Sequence, residues 1–416
     1  MYRTVSDSEF AAFLSYAYRG APAVRRLLDE AGITPGELGP PEEVLPNLPV
    51  TQKEELAAQQ QADPPFGGWV SGGMTSLRRV FVSPGPIHNV EGTRPDDWGA
   101  AEAFRAAGFG PGDLVLNTFT YHLSPAAFIV EAGVLTLGGV VVPAGTMSRS
   151  EQVRLLQQLP VTGFAGVPSY LRALLAALTE SSGAMEGIKP LLALRRAWFT
   201  AERLDDDFRR ELAEEWSVKG FQGYGTAELG IVAYECEVQH GMHLGEQVIV
   251  EVLDPSTREP VPEGEVGELV VTAMRPAYPL LRLATGDLSR VITEPCPCGR
   301  PAVRIAGVLG RVGSGVKVRG MFIYPHQIEE LARVVAGIAR VTRITARVDQ
   351  EGHRDRLFLD VETAVGEARE GTVATALKEV LAAAARDRLR VRPDGIELHP
   401  AGSLGDRPLL ADERQS

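Results

Sequence analysis

The stretch from Leu281 to Glu330, LRLATGDLSRVITEPCPCGRPAVRIAGVLGRVGSGVKVRGMFIYPHQIEE, concentrates more chemically unusual residues than any other part of the chain. Thr285-Gly286-Asp287 stands between two apolar runs, so the acidic residue falls where a predicted strand gives way to a turn. Polar residues at such positions face ligands more often than cores. Asp287 is therefore a candidate site residue.

Two cysteines follow in the same stretch, one residue apart. In Cys296-Pro297-Cys298 the proline fixes φ and stiffens the pair. This spacing suits metal chelation better than a strain-free disulfide. Two ligands cannot close a metal site, so further ligands must come from elsewhere in the chain.

A glycine-rich segment then begins at Gly310-Arg311 and leads to Pro325, a residue type that often starts a helix. The pattern predicts a hinge, with one domain over residues 1–311 and a smaller domain over residues 312–416. Within the smaller domain the apolar pattern predicts two strands, a helix and a further strand, and the tail LADERQS is predicted to fray.

The composition limits the classes of function. The chain has 416 residues, enough for two domains, and 44% of them are apolar. The net charge of −12 argues against nucleic acids and anionic membranes, because both need a basic surface. No run reaches the roughly 18 apolar residues of a membrane helix, and no signal-peptide pattern is present, so a cytoplasmic location is expected. Small molecules are the expected partners, and a homodimer stays open.

Strand-like and helix-like segments alternate through the middle of the chain, which is typical of an α/β fold. The segment FQGYGTAELG, at 221–230, gives the strongest nucleotide signal. Tyr224 offers a flat face for adenine, Thr226 a hydroxyl for the α-phosphate, and Glu228 a hard oxygen ligand for Mg²⁺. The segment predicts a nucleotide site at the end of a strand.

Five motifs occur in a fixed order: FQGYGTAE at 221–228, TGD at 285–287, CPCGR at 296–300, GR at 310–311 and VKVRG…IYPHQIE at 316–329. Together they resemble the adenylate-forming superfamily and, within it, the phenylacetate–coenzyme A ligase family. The resemblance implies a large N-terminal adenylate-forming domain, with α/β sheets and a small β subdomain, and a small mobile α+β C-terminal domain. It also implies an AMP-forming acid–thiol ligase that uses ATP, Mg²⁺ and coenzyme A to activate an aryl or arylacetic acid through an acyl-adenylate.

The resemblance also implies a role for residues outside the central motifs. The residues expected to cradle the ATP phosphates are Ser71, Gly72, Gly73, Thr75 and Ser76. The residues expected around the adenosine are Ala201, Glu202, Tyr224, Gly225 and Asp287. The residues expected to line the acid pocket are Tyr121, Ser169 and Tyr170. Those expected at the hinge and the thiol channel are Arg311, Lys317 and Gly320.

The chain departs from the family pattern at residues expected to act in the first half-reaction, which forms the acyl-adenylate. The phosphate loop contains Met74, and Arg78 and Arg79 replace the lysine that usually follows it. The lysine that the family places near the C-terminus is also absent, and Arg407 is the candidate substitute. Two alternatives to a complete ligase therefore stand: an enzyme that performs one half-reaction, and a catalytically silent nucleotide-binding protein.

The remaining cysteine supplies a third ligand for the cysteine pair. Cys236, Cys296 and Cys298 with His243 would form a Cys₃His tetrahedron, the coordination of a structural zinc site, with His240 as the alternative fourth ligand. The alternative reading is three reduced, buried thiols.

The N-terminal region reads as helices ahead of the catalytic motifs. Ser6 and Glu9 have the spacing of a capping box. The segment LPNLPVTQKEEL, at 45–56, is interpreted as part of a helical cap without a function of its own.

Overall fold

The structure is a computed structural model of the chain. The residues that it describes are 1–34, 38–82, 87–181, 192–300, 303–313, 315–319, 321–335, 338–351, 354–364 and 371–414. They divide into two compact units, Met1–Gly307 and Val308–Ser416. The domain boundary at residues 311–312 stays a prediction, whereas the predicted α/β fold is confirmed.

The helices lie in both units. They are α1 (Asp7–Gly20), α2 (Pro22–Glu30), α3 (Pro41–Val44), α4 (Lys53–Ala62), α5 (Ala100–Ala106), α6 (Ala126–Thr136), α7 (Arg149–Gln158), α8 (Pro168–Ser181), α9 (Asp206–Trp216), α10 (Pro325–Val335) and α11 (Thr372–Arg388). Short 3₁₀ helices cover Leu45–Asn47 and Gly73–Ser76. The capping box of α1 is confirmed, because Ser6 Oγ accepts from Glu9 N and the Glu9 carboxylate accepts from Ser6 N.

The strands of the first unit come in two groups along the chain. The first group is β1 (Tyr2–Arg3), β2 (Leu77–Val82), β3 (His88–Gly92), β4 (Leu114–Asn117), β5 (Val140–Pro143), β6 (Gly163–Gly166), β7 (Arg196–Phe199) and β8 (Lys219–Thr226). The second group is β9 (Gly230–Tyr234), β10 (Met242–Leu244), β11 (Val248–Leu253), β12 (Gly267–Ala273), β13 (Leu283–Ser289), β14 (Val291–Ile292) and β15 (Arg304–Ile305).

The second unit begins with three short strands, which are followed by longer ones. They are β16 (Gly310–Arg311), β17 (Val316–Val318), β18 (Met321–Ile323), β19 (Val341–Glu351), β20 (Arg354–Thr363), β21 (Gly395–Pro400) and β22 (Leu410–Asp412).

The largest sheet has the strand order β14-β15-β10-β9-β8-β7-β6-β4-β5. Strands β4 to β8 are parallel, and the pairs from β8 to β14 are antiparallel. Parallel strands are covered on both faces, so alternate side chains enter two different cores. Val115 and Trp198 pack with α5 and α6, whereas Leu116, Ala197 and Phe199 pack with α7, α8 and α9. The loops at the carboxyl ends of these strands are therefore where a ligand site is expected.

A second sheet joins the N-terminal helices to the middle of the chain. Strands β1, β11, β12 and β13 run antiparallel side by side. Phe10 and Leu14 of α1 and Leu56 of α4 share one apolar core with Val250 and Val271 of this sheet. The helical layer before residue 63 is thus part of the core of the first unit.

The second unit has a sheet in the order β21-β20-β19-β22. Side chains of α10 and α11 pack with alternate residues of β19 and β20 in its core, such as Ile344 and Leu359. The order β19, β20, α11, β21 matches the predicted two strands, helix and strand. The prediction that the tail frays is wrong at its start, because Leu410 and Asp412 bound a strand that pairs in parallel with β19.

None of the described helices is both long and apolar enough to cross a bilayer.

Arg275, which follows β12, is almost completely buried together with Asp97, each side chain being 1% exposed. Its Nη2 donates to Asp97 Oδ2 at 2.7 Å and to Val90 O at 2.6 Å, and its Nη1 donates to Glu228 O at 2.8 Å. The guanidinium also lies 5.5 Å from the centroid of the Trp98 ring. One cation therefore joins β3, the segment before α5, and the turn that carries Glu228.

We expect Arg275→Met to lower the free energy of unfolding of the first unit by about 3–5 kcal/mol, because the Asp97 carboxylate stays buried without its partner. Urea unfolding followed by tryptophan fluorescence measures this, since all four tryptophans lie in this unit. The matched control is Arg210→Met, whose partner Asp207 is exposed. A loss no larger than that of the control would contradict the expectation.

Candidate active site

The predicted nucleotide motif lies at the carboxyl end of β8, the last parallel strand. The Tyr224 hydroxyl donates to Asp287 Oδ2 at 3.0 Å, so the two predicted adenosine residues are brought together from separate sheets. A Cβ on Gly225 would lie 2.4 Å from Gly230 O, which requires glycine at that position. Thr226 Oγ1 accepts a hydrogen bond from Leu229 N at 3.3 Å. The motif is thus a tight strand-to-turn junction.

The turn before Asp287 fixes the direction of that side chain. Thr285 Oγ1 donates to Leu269 O at 2.8 Å and accepts from Asp287 N at 3.0 Å. Gly286 has φ +76°, a left-handed conformation that glycine adopts without strain, and its N–H donates to Glu268 Oε1 at 3.0 Å. The register of β12 and β13 also shifts here, as at a β-bulge that redirects a side chain.

Glu228 is a buried acid beside this junction. Its backbone carbonyl is held by Arg275, and its Oε2 is buried without a hydrogen bond among the described residues. The ammonium of Lys53, at the start of α4, lies 3.5 Å from Oε2. Lys53 was not among the residues predicted from the sequence, because its segment reads as an ordinary helix start.

A cavity of about 160 Å³ opens next to the motif. Ala201, Gly225 and Thr226 line it on the side of the motif, and its polar side chains are those of Ser124, Thr200 and Thr226. The apolar residues along its wall are Phe119, Ile129, Val130, Trp198 and Ile231. An apolar space therefore lies directly beside the residues predicted to bind the nucleotide.

The predicted acid-pocket tyrosines lie elsewhere. Tyr121 lines a separate cavity of about 450 Å³, and its hydroxyl donates to Glu131 Oε2 at 3.1 Å and accepts from Asn117 Nδ2 at 3.0 Å. Burial, and then the charge of Glu131, raise the pKa of Tyr121. Tyr170 packs against the core under α7, α8 and α9. The family resemblance placed these tyrosines by motif position, whereas the apolar wall of the cavity comes mainly from α6, β7 and β9.

Ser169 and the adenosine candidates after β7 form a small polar group. Ser169 Oγ donates to Glu202 Oε2 at 2.6 Å, and Gln222 Nε2 donates to Glu202 O at 3.3 Å. Ala201 has φ +67° and lines the apolar cavity. Ser169 therefore contacts an adenosine candidate, and the structure gives it no place in the apolar cavity.

The predicted phosphate loop contains two left-handed glycines, Gly72 at φ +76° and Gly73 at φ +68°. Ser76 Oγ donates to Ser71 O and to Gly73 O, and Thr75 Oγ1 donates to Gly72 O at 3.2 Å. The Ser71 hydroxyl is buried and has no hydrogen-bond partner among the described residues. The loop is compact, because the hydroxyls of Thr75 and Ser76 donate to carbonyls of the loop itself.

The two arginines that follow the loop are already paired. Arg78 and Arg79 both bind the carboxylate of Glu91, which is 2% exposed. Arg79 also lies 4.4 Å from the centroid of the Phe128 ring. These cations neutralise a buried acid, so they are poor replacements for the missing lysine.

The remaining candidates belong to the second unit. Arg311 ends β16, and Lys317 lies in β17. Arg407 follows β21 in a loop whose carbonyls at Gly405 and Arg407 accept from the Arg343 guanidinium. Gly320 lies outside the described residues.

The three cysteines and one histidine of the predicted metal site come together. Cys236 Sγ lies 3.7 Å from Cys296 Sγ, and Cys298 Sγ lies 3.4 Å from His243 Nε2. All four ligand atoms lie within 4.8 Å of one another. His240 instead faces Arg304, whose Nη1 lies 3.2 Å from His240 Nδ1.

These distances fit a tetrahedral metal. Metal–sulfur bonds of about 2.3 Å in a tetrahedron place two sulfurs roughly 3.8 Å apart. Without a metal, burial raises the pKa of Cys236 to about 11, whereas that of Cys298 is lowered because hydrogen bonds from Arg300 and the neighbouring thiols outweigh burial. The donor set of three sulfurs and one nitrogen matches structural zinc.

Comparisons with known proteins agree with this geometry. The family model described as "AMP-binding enzyme" matches residues 99–274. A phenylacetate-coenzyme A ligase of Thermus thermophilus is 33% identical over 373 residues, covering 86% of this chain and 81% of the relative. A phenylacetate-coenzyme A ligase of Escherichia coli is 27% identical over 361 residues, covering 84% of this chain and 79% of the relative.

Solved structures show the same fold. A crystal structure of 2-hydroxyisobutyryl-CoA ligase in an open conformation, with 2-HIB-AMP and CoA, matches at a TM-score of 0.78 and 24% identity over 96% of this chain and 88% of that chain. The same ligase in the post-adenylation state, with R3-HIB-AMP, matches at a TM-score of 0.72 and 25% identity, covering 98% of this chain and 90% of that chain.

The fold, the motif at the end of β8 and the relatives define an AMP-forming acid–CoA ligase of the adenylate-forming superfamily, an enzyme that activates a carboxylic acid with ATP. Within that superfamily, the chain belongs to the phenylacetate–coenzyme A ligase family. The comparisons lend no specific support to a half-reaction enzyme or a silent binding protein.

We expect Asp287→Ala to weaken ATP binding by about 10- to 100-fold, because the nucleotide loses a charged hydrogen-bond acceptor worth roughly 1.5–3 kcal/mol. Calorimetric titration with ATP measures the change. Asp207→Asn, at an exposed position on α9, is the matched control. Equal affinity in the two variants would remove Asp287 from the nucleotide site.

Proposed function

We propose that this ligase activates an aryl or arylacetic acid through its acyl-adenylate and transfers the acyl group to coenzyme A. The observation that supports this choice is the apolar cavity of about 160 Å³ beside Gly225 and Thr226. An apolar protein cavity of about 150 Å³ holds one benzene molecule, so the volume suits a single aromatic ring. The aromatic and aliphatic wall gives such a ring the contacts it needs.

The chemistry follows from the weak electrophilicity of a carboxylate. A carboxylate oxygen attacks the α-phosphorus of ATP, and the bond to pyrophosphate breaks. The thiol of coenzyme A then attacks the acyl carbon, and AMP leaves with the former carboxylate oxygen. In this scheme Tyr224 and Ala201 flank the adenine, Asp287 binds the ribose hydroxyls, and Thr226 binds the α-phosphate.

The phosphate end of the nucleotide needs donors and a divalent cation. We assign the phosphates to residues 71–76, whose left-handed glycines Gly72 and Gly73 form a compact turn of the kind that binds anions through backbone N–H groups. Glu228 fits Mg²⁺, because its Oε2 is buried and has no hydrogen-bond partner among the described residues. Bound Mg²⁺ would neutralise phosphate charge during the attack.

We assign Arg407 the positive charge that the family takes from a C-terminal lysine. Arg407 is exposed, and the carbonyls of Gly405 and Arg407 in its loop accept hydrogen bonds from the Arg343 guanidinium. In this proposal the smaller domain turns between the two half-reactions, with Arg311 at the hinge and Lys317 and Gly320 at the thiol channel. The homodimer also stays a prediction.

We expect Val130→Phe to raise the KM for phenylacetate by about 10- to 200-fold, because the new ring fills the proposed acid cavity. The substitution lies on α6, and Leu135→Phe on the same helix is the matched control because Leu135 is exposed. Pyrophosphate release is measured with phenylacetate, benzoate and 2-hydroxyisobutyrate.

Three results would contradict the aryl assignment. The first is wild-type turnover of 2-hydroxyisobutyrate at a higher kcat/KM than either aryl acid. The second is an unchanged KM for phenylacetate in Val130→Phe. The third is a wild-type enzyme that releases no pyrophosphate with either aryl acid. Calorimetric titration with ATP confirms that each variant keeps its nucleotide site.

We also propose a structural zinc ion on Cys236, His243, Cys296 and Cys298. The donors come from two segments that are distant in sequence, so a metal would fasten the loop after β14 to β10 and to the end of β9. Closed tetrahedral coordination leaves no open position for a substrate, so the role is structural.

We expect about one zinc per chain by elemental analysis after dialysis. Cys296→Ser should release it and lower the free energy of unfolding by several kcal/mol, because metal binding adds directly to folding stability. His240→Ala is the control and should retain the metal, since His240 faces Arg304. A fully folded wild-type preparation free of metal would contradict the proposal.

A further inference from the structure

The ion pair between Lys53 and Glu228 joins two segments that are far apart in sequence. Lys53 Nζ lies 3.5 Å from Glu228 Oε2, and the two side chains are 28% and 10% exposed. That oxygen has no hydrogen bond among the described residues, so Lys53 is the charge that faces it. Lys53 also lies outside the span matched by the AMP-binding family model.

The helix that begins at Lys53 directs this side chain inward. Leu56, Ala57 and Gln60 are the buried residues of α4, and they follow Lys53 at spacings of three, four and seven, which is one helix face. Gln60 Nε2 donates to the Tyr278 hydroxyl and to His88 O, both at 2.9 Å. Lys53 extends this inner face by one turn, toward Glu228.

The backbone before Lys53 is attached to the strand that carries Asp287. Thr51 N donates to Arg282 O, and Ala284 N donates to Thr51 O, both at 2.9 Å. Arg282 is itself buried, with Nε donating to Glu251 Oε2 at 2.9 Å, and its Nη1 donates to Leu48 O. One strand, β13, therefore positions both Lys53 and the ribose candidate Asp287.

A lysine at the first position of a helix is electrostatically unfavourable, because the helix N-terminus carries partial positive charge. The arginines after the phosphate loop are used differently, because Arg78 and Arg79 neutralise Glu91. Lys53 instead pairs with the acid assigned to Mg²⁺. Once a divalent cation occupies Glu228, the ammonium needs another anion within reach.

We propose that Lys53 is a nucleotide-binding catalytic residue, which exchanges Glu228 for a phosphate oxygen of ATP when Mg²⁺ binds Glu228. This inference rests on the proposed function, because it takes Glu228 and Thr226 as the phosphate end of the site. The ammonium supplies positive charge while the carboxylate attacks the α-phosphorus and pyrophosphate leaves. The N-terminal helical layer thus contributes a residue to the reaction.

The test compares Lys53→Met with Lys219→Met, a lysine of the same unit that lies on β8 and binds a carbonyl away from the site. We expect Lys53→Met to weaken binding of Mg²⁺·ATP by about 10- to 100-fold in calorimetric titration. Acid-dependent pyrophosphate release should fall by about 10²- to 10³-fold. Thioester formation from preformed acyl-AMP should stay within about twofold, because that half no longer involves pyrophosphate. Lys219→Met should match wild type in all three measurements.

Retention of wild-type ATP affinity and pyrophosphate release by folded Lys53→Met would overturn the proposal, even if its melting temperature falls, since that pattern defines a structural ion pair. If Lys53→Met does not fold, Lys53→Gln is measured in its place, because it removes the charge and keeps a polar end beside Glu228. Measurements on the wild-type enzyme separate the proposal for Lys53 from the proposed acid substrate. A wild-type enzyme that binds ATP but releases no pyrophosphate with any acid contradicts the acid assignment, while ATP affinity in the variant still decides the role of Lys53.

Discussion

A guanidinium that is removed from water needs hydrogen-bond acceptors for its N–H groups. Arg275 finds them in groups from three distant segments. Asp97 supplies the opposite charge, and the carbonyls of Val90 and Glu228 supply the remaining acceptors. The same residue faces the rings of Trp98 and Tyr278. Because an unpaired buried charge is so unfavourable, these segments have one arrangement in which the cation is satisfied. The turn that carries Glu228 is therefore held in place by the hydrogen bond from Arg275 to the Glu228 carbonyl.

The candidate residues that the structure brings together are mainly those that lie close together in the chain. Tyr224, Gly225 and Thr226 occupy one strand end, so their spacing already determines their geometry. The ribose role of Asp287 stays a prediction, but the turn that directs its side chain is formed by its neighbours Thr285 and Gly286. The cysteine pair at 296–298 indicated chelation before the other ligands were located, and the structure brings His243 rather than His240 to it.

Contacts between distant segments could not be predicted in the same way. Tyr121 was placed in the acid pocket by the family resemblance, but its hydroxyl donates to Glu131 on the following helix and its ring lines another cavity. The wall of the apolar cavity combines α6 with two strands, and no local pattern marks that combination. The strand at Leu410 is three residues long, and its pairing with β19 is invisible to a periodicity argument. Lys53 reads as an ordinary helix residue until the fold places Glu228 beside it.

The hydrogen bonds between the N-terminal layer and the second sheet also limit how this enzyme can be divided for engineering. A fragment cut where the AMP-binding family model begins, at residue 99, would remove Leu48 and Thr51 from Arg282 and Ala284, and Gln60 from Tyr278. Each of those buried partners would keep its polar group and lose its acceptor or donor. The smallest fragment of this ligase that keeps its buried polar atoms paired therefore begins well before the region that the AMP-binding family model matches.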